Sequence, residues 1–133
     1  MKQVKQLVRY SLLLALSAFS AGAYAVDCNK PNTQADMNQC AAEDLNKADG
    51  ELNQLYIALR SQLNVPQQNQ IRDVQLAWIK YRDLSCRFES AHSAGGSAQG
   101  MVLQYCLTEK TKARAKELKS QLSCGEGDIS CVK

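Results

Sequence analysis

The residue best suited to acid–base chemistry is His92, the only histidine in the 133-residue chain. It lies in the stretch His-Ser-Ala-Gly-Gly-Ser at residues 92–97, whose Ser and Gly content predicts a loop. A lone loop histidine is typically solvent-exposed, and nucleophilic catalysis would also need a partner such as a free cysteine. The sequence therefore offers a base with no nucleophile assigned to it.

Carboxylates are the second group with chemical potential, and four of them lie close together in one segment: Glu43, Asp44, Asp49 and Glu51. Acid–base catalysis by paired carboxyls needs them to face each other across a cleft, which the surface of a single helix does not supply. The sequence contains no zinc-peptidase, phosphate-loop, serine-elbow or calcium-loop motif. We therefore predict a non-enzymatic protein with no catalytic residue, no metal site and no cofactor.

The six cysteines are the remaining reactive groups. An even number of cysteines behind an export signal predicts disulfides, and the absence of C-x-x-C argues against redox or zinc chemistry. The predicted antiparallel pairing of the second and third helices favours Cys86–Cys106, and Cys28–Cys40 and Cys124–Cys131 complete the set. Cys40–Cys86 with Cys28–Cys106 is the alternative, because Cys40 is also placed near the end of the second helix.

Residues 1–25 have the organisation of a secretory signal peptide. Three basic residues, an apolar run of about 13 residues and the sequence Ala-Tyr-Ala at positions 23–25 follow one another in the expected order. The run is too short to span a bilayer, and Asp27 directly before Cys28 argues against a lipid anchor. We predict cleavage near Ala25, a periplasmic or secreted location and no stable membrane anchor.

The predicted mature chain, residues 26–133, has the length of a single domain. It keeps all 13 acidic residues but loses three of the 16 basic ones, so 13 minus 13 gives a net charge of zero. This neutrality argues against nucleic-acid binding. The charge is uneven, because residues 27–51 carry six acids and two bases whereas residues 109–119 carry two acids and five bases.

Apolar residues at helical spacing predict three helices, over about residues 34–64, 67–90 and 98–122. Thr33 and Asp36 predict a capping box before the first helix, and Ser97 predicts an N-cap for the third. Short connections then favour an all-α, antiparallel up-down-up arrangement over residues 28–122, stapled by disulfides. The tail, residues 123–133, is expected to be a small loop closed by its own disulfide.

The second helix is expected to anchor the core. Its inner face is predicted from helical spacing to carry Val74, Trp78, Tyr81, Ser85 and Phe88. Trp78 and Tyr81 are interpreted as core residues and not as a platform for a ligand. Tyr105 is among the residues expected on the inner side of the third helix.

The short turn at Val65 also predicts a contact between the first two helices. If they are antiparallel about this turn, Asp49 lies opposite Arg82 and forms a partly buried ion pair. Asn53 and Tyr56 are expected to line the same seam. The alternative is two exposed charges, which would contribute at most about 1 kcal/mol.

A set of spaced residues matches a known family. The matching segments are Gln39-Cys40-Ala41, Ala48-Asp49-x-x-Leu52-Asn53-x-x-Tyr56, Gln75-x-Ala77-Trp78-Ile79-x-Tyr81-Arg82-Asp83-x-x-Cys86, Cys106-Leu107 and Thr111-x-x-Arg114-x-x-x-Leu118. Together they resemble the LprI-type lysozyme-inhibitor family, in particular its small secreted members in Gram-negative bacteria. The resemblance implies a helical scaffold held by Asp49, Asn53, Tyr56, Trp78, Tyr81, Arg82, Asp83 and Arg114.

The resemblance also implies a protein partner, with lysozyme as the candidate. A c-type lysozyme cleft presents two carboxyl groups, so a basic or polar loop suits its inhibition. The expected contact residues are Arg87, His92, Ser93, Ser97 and Gln99. The alternative is an envelope structural or interaction protein that binds another periplasmic protein and does not inhibit lysozyme.

Overall fold

The computed structural model describes residues 25–125 and 127–132, so the predicted signal peptide lies outside the described residues except for Ala25. Three long helices form the fold: α1 at Gln34–Ser61, α2 at Val65–Glu89 and α3 at Gln99–Leu122. A 3-10 turn at Ala91–Ser93 follows α2, and no strand occurs in the described part. The all-α, three-helix prediction is confirmed. None of these helices is both long and apolar enough to cross a membrane.

Local side-chain hydrogen bonds fix where the first two helices begin. Thr33 Oγ1 accepts the N–H of Asp36, and the Asp36 carboxylate accepts the N–H of Thr33, so the predicted capping box is confirmed. Asn64 and Gln67 form a second capping box before α2. Pro66 fits the first turn of α2 because an N–H at that position needs no partner within the helix.

The start of α3 is capped from another helix. The prediction that Ser97 is its N-cap is wrong, because α3 begins at Gln99 and has no side-chain cap of its own. Instead Asn38 of α1 accepts the Met101 N–H at 2.9 Å and donates to the Ser97 carbonyl at 3.0 Å. Gly100 lies beside this side chain, where an added Cβ would be 3.4 Å from Asn38 Oδ1.

The core lies mainly between α1 and α3, which run in the same direction. Their shared direction follows from contacts at both ends: Asn38 meets the start of α3, and Leu59 packs in one cluster with Leu118 near its end. The buried cluster consists of Leu52, Leu59, Leu63, Ala115 and Leu118. Burying each leucine contributes about 1.5–3 kcal/mol, so this pair of helices supplies most of the apolar stabilisation.

The second helix is antiparallel to α3, but its predicted inner face is wrong. Trp78 is half-buried against the core, whereas Tyr81 and Phe88 are 61% and 83% exposed. The buried residues of α2 are Gln75 and Cys86. The same error affects two further residues that were expected inside: Val74 and Tyr105 are each 50% exposed.

The predicted disulfides are confirmed as Cys28–Cys40, Cys86–Cys106 and Cys124–Cys131, and the alternative pairing is excluded. Cys86–Cys106 joins α2 to α3 and fixes which face of α2 turns inward. The third disulfide closes the C-terminal tail on itself. The tail also touches the start of α2, because Gln67 Nε2 donates to the Val132 carbonyl at 2.6 Å.

Candidate protein-binding site

Arg82 is the polar centre that joins all three helices. Its Nη1 donates to Asp49 Oδ1 of α1 at 2.8 Å and to Thr111 Oγ1 of α3 at 3.0 Å. Its Nε donates to Asp83 Oδ1 at 3.0 Å, within α2. The guanidinium group also lies 5.3 Å from the centre of the Trp78 ring. The predicted Asp49–Arg82 ion pair is therefore present, with the arginine side chain 13% exposed and the aspartate 39% exposed.

This arrangement suits arginine because a planar guanidinium can place several N–H groups in fixed directions and stack on an aromatic face. Thr111 is fully buried, and its hydroxyl accepts a hydrogen bond from Arg82. Sequence reasoning did not assign Thr111 a structural role beyond the family motif. The signal that could have revealed it is a polar residue at a position that helical spacing places inside α3.

The remaining residues of the predicted scaffold have different environments. Arg114 donates to Gln75 Oε1 at 3.2 Å and pairs with Glu117 at 2.7 Å, which gives a second polar link between α3 and α2. Tyr56 is half-buried against the core cluster. Asn53 is exposed and so does not line a closed seam. Tyr81 lies on the surface, with the Lys110 ammonium 5.7 Å from its ring centre.

The connection between α2 and α3 is an ordered turn held by its own hydrogen bonds. Ser93 Oγ donates to the Ser90 carbonyl at 2.7 Å, and Gln99 Oε1 accepts the Gly95 N–H at 2.8 Å. Gly95 has a φ of +79°, which favours glycine because a Cβ is strained in that region. Asn38 holds the Ser97 carbonyl from α1. The loop is therefore preorganised and not a freely flexible segment.

The five predicted contact residues divide into two groups. Arg87, His92 and Ser97 are exposed, and neither Arg87 nor His92 forms a side-chain hydrogen bond or ion pair with the described residues. Ser93 and Gln99 instead use their side chains to shape the loop. The structure therefore brings the five residues to one end of the molecule, where all of them except Ser93 are exposed. Their role in binding stays a prediction.

A charged link braces this end on the outside. Glu89 Oε1 accepts from Ser85 Oγ at 2.7 Å and pairs with Lys110 Nζ at 3.0 Å, which ties the end of α2 to α3. The Ser85 hydrogen bond and the Lys110 ammonium hold the pKa of Glu89 below its usual value. Reciprocally, the hydrogen bond to Glu89 raises the pKa of Lys110. The loop is thus flanked by the Cys86–Cys106 disulfide and by an ion pair.

The charge along the molecule is uneven because α1 and α3 run in parallel. The acidic first half of α1 lies beside the start of α3 and the loop, and the basic second half of α3 lies beside the end of α1. Asp36, Glu43 and Asp44 are at the loop end, whereas Lys116 and Lys119 are at the far end. The loop end is therefore the acidic end.

A groove of about 770 Å³ lies at the far end, next to the tail. It is lined by Leu63, Gln67, Gln70, Ile71, Asp73, Val74, Cys131 and Val132. Asp73 is the only titratable residue in this lining, so the groove holds no acid–base pair. Cys124, Asp128 and Cys131 cluster in the tail, but both sulfurs belong to a disulfide and are not thiolate ligands for a metal.

The described residues thus define a small helical domain whose polar centre holds helices together and whose braced loop carries no catalytic grouping. The chain belongs to the lysozyme inhibitor LprI family, whose model matches residues 27–118. It is also similar to an uncharacterized protein of Rhizobium meliloti (strain 1021), with 32% identity over 130 residues. That alignment covers 87% of this chain and 94% of the relative. No solved structure matches the chain.

Proposed function

We propose that this protein is exported and inhibits lysozyme by placing the α2–α3 loop, residues 92–99, over the substrate cleft. The observation that carries the proposal is its membership of a lysozyme-inhibitor family, with a match that spans the loop and its supporting helices. The predicted signal peptide and three disulfides support an extracytoplasmic setting. Family membership likewise supports a non-enzymatic role.

The rigidity of the loop supports its use as a contact surface. Association is weakened by the entropy lost when a mobile loop becomes ordered, and a preorganised loop avoids most of that loss. Here Ser93, Gly95 and Gln99 hold the turn in the free protein, and Asn38 holds its end. The exposed His92 ring and Ser97 hydroxyl then present polar groups to the two carboxyl groups of a lysozyme cleft.

Charge supports the orientation of the complex. The domain as a whole is neutral, but its acidic residues concentrate at the loop end. A basic lysozyme is attracted to an acidic end, and such steering raises the association rate and depends on salt. The basic residues of α3 lie at the far end, where they do not oppose this approach.

The experiment is a lysozyme lysis assay with a charge-altered loop. We expect wild-type protein to inhibit c-type lysozyme in a dose-dependent way and His92→Glu/Ser97→Glu to raise the half-inhibitory concentration at least about 100-fold, because two added carboxylates face the cleft carboxyls. The matched control, Gln54→Glu/Gln62→Glu, adds the same charge on α1 and at its C-cap, outside the loop, and should inhibit like wild type. Circular dichroism checks that both variants are folded.

Unchanged inhibition by the loop variant would overturn the loop assignment. Failure of the wild-type protein to inhibit c-type and g-type lysozymes at large excess would overturn the lysozyme assignment. A reduced and alkylated sample should lose inhibition, because the loop depends on Cys86–Cys106.

The second candidate function is binding to another exported protein without lysozyme inhibition. The segregation of charge between the acidic half of α1 and the basic half of α3 favours it, because a bipolar surface suits salt-sensitive protein contacts. Recovery of such a partner by pull-down from periplasm, together with an inactive lysis assay, would favour this function over the first.

A further inference from the structure

One face of α2 carries an apolar stripe that stays largely exposed, although Lys110 of α3 lies 5.7 Å from the Tyr81 ring centre and Val74 also lines the groove beside the tail. Its members recur with the spacing three, four, three, four: Val74, Ala77, Tyr81, Leu84 and Phe88. The exposed fractions are 50% for Val74, 61% for Tyr81, 54% for Leu84 and 83% for Phe88. This spacing keeps side chains in line along a helix and is the pattern by which two helices pack together.

The stripe is large enough for a specific helix pair. Covering four such side chains on each of two molecules removes roughly 1,000 Å² from water, which is about the lower bound for a specific interface. Aromatic residues also provide most of the binding energy in many interfaces, and the stripe contains Tyr81 and Phe88.

Charges beside the stripe indicate which helix would cover it. Asp73, Lys80 and Arg87 occupy equivalent positions on one flank, at intervals of seven residues. Arg87 forms no ion pair within the described chain, whereas Asp73 forms an exposed ion pair with the neighbouring Arg72, whose Nη2 lies 2.9 Å from Asp73 Oδ1. The flank therefore carries a carboxylate at one end, which would exchange Arg72 for a new partner, and an unpaired guanidinium at the other.

We propose that a second copy of this chain covers the stripe, with the two α2 helices antiparallel. Reversing the second helix brings Asp73 of each copy to Arg87 of the other, so that two opposite-charge contacts form at once. The same register places Tyr81 opposite Ala77 of the second copy, a large side chain against a small one, and Val74 opposite Leu84. A parallel pair places Asp73 beside the uncharged Trp78 of the second copy and gains no ion pair.

This dimer is compatible with the proposed function but does not rest on it. The antiparallel arrangement directs the two loops at residues 92–99 to opposite ends of the dimer. Arg87 then belongs to the dimer contact, and His92 and Ser97 remain free at each end. The two Lys80 side chains meet near the two-fold axis, where their like charges weaken the pair.

The test is sedimentation velocity on protein produced from the full-length sequence with export, over a concentration range up to about 200 µM. We expect a concentration-dependent dimer. Asp73→Arg should weaken association at least about tenfold, because like charges then meet at both ends. The double variant Asp73→Arg/Arg87→Asp should restore it, since the opposite charges are exchanged between the same two positions.

Three further variants test the surface. Leu84→Asp should abolish the dimer, whereas Ile57→Asp, on α1 and 66% exposed, should leave it unchanged. Lys80→Gln should strengthen it. A wild-type protein that stays monomeric throughout the range would overturn the proposal, as would failure of the double charge exchange to restore association. Binding of a different protein to the stripe in place of a second copy would appear as this monomeric result. The lysis assay with the loop variant tests the proposed function separately, because none of the dimer variants alters the loop.

Discussion

The inward face of α2 is unusually polar for a helix that packs on a core. It carries Gln75, Arg82 and Cys86 beside the half-buried Ile71 and Trp78, whereas Tyr81 and Phe88 are exposed on another face. In α1 the distribution is ordinary, because its buried positions are alanines and leucines. Apolar burial therefore holds α1 and α3 together, whereas α2 is attached by a disulfide, by hydrogen bonds and by the packing of Ile71 and Trp78, and it leaves Tyr81 and Phe88 exposed.

The largest difference between the two regions should appear on truncating one leucine in each. Leu59→Ala removes a fully buried side chain and should lower the free energy of unfolding by about 3 kcal/mol. Leu84→Ala removes a side chain that is 54% exposed and should change it by less than about 0.5 kcal/mol at concentrations where the protein is monomeric. Urea titrations followed by Trp78 fluorescence measure both, and equal effects would contradict the contrast.

Removing the Cys86–Cys106 disulfide that attaches α2 should have the next largest effect on the free energy of unfolding. Cys86→Ala/Cys106→Ala opens a loop with a sequence separation of 20 and should cost about 3 kcal/mol. Cys124→Ala/Cys131→Ala is the matched control and should cost less, about 2 kcal/mol at most, because it opens a loop with a sequence separation of only 7. Thermal unfolding of both variants checks the order, and a larger loss from the tail variant would show that α2 does not depend on its disulfide.

Removing the polar attachment should cost somewhat less. Arg82→Ala leaves Thr111 buried without its donor and Asp49 without its ion pair, which should lower the free energy of unfolding by about 2 kcal/mol. The value is at the low end for buried pairs because Asp49 is 39% exposed and solvent screens its charge. Arg82→Lys should recover only part of the loss, since an ammonium group lacks the planar fork. Full recovery in urea titrations would show that charge alone matters.

The smallest effect on stability is expected from the Glu89–Lys110 ion pair beside the loop. The folded-state pKa of Glu89 is lowered, so its stabilisation is complete above the unfolded-state pKa and is lost as the pH falls through the folded-state value. The raised pKa of Lys110 gives the converse loss at high pH. Glu89→Gln should therefore be less stable than wild type near neutral pH and indistinguishable from it in strong acid. A difference in melting temperature that persists in strong acid would contradict this assignment.

Much of the fold was predictable from local patterns. The spacing of Leu52 and Leu59 identified the inner face of α1, and the pairing of helices about the Val65 turn identified the Asp49–Arg82 contact. The Cys86–Cys106 disulfide followed from a similar antiparallel argument about the α2–α3 loop, and the other two disulfides completed the set. These features depend on spacing along the chain and on the direction of neighbouring helices, both of which the sequence contains.

The rotation of α2 was not predictable, for a physical reason. Helical spacing selects the face with the largest apolar side chains, and Tyr81 and Phe88 are among the largest in α2. The disulfide and the Arg82 contacts turn a more polar face inward, and these constraints act between helices. The Asn38 cap on α3 was missed for the same reason. The candidate contact loop was predicted from its composition. That the Ser93 and Gln99 side chains form hydrogen bonds that hold this loop became visible only in three dimensions.

The most decisive measurement is isothermal titration of c-type lysozyme into the exported, oxidised protein, with the loop variant His92→Glu/Ser97→Glu alongside. We expect saturable binding at one lysozyme per chain, because each chain presents one loop and the α2 stripe lies on a different face. The loop variant should bind at least about 100-fold more weakly while it keeps the helical content of wild type. Equal binding by the folded loop variant, or no binding by the wild-type protein to either c-type or g-type lysozyme, would contradict the proposed function.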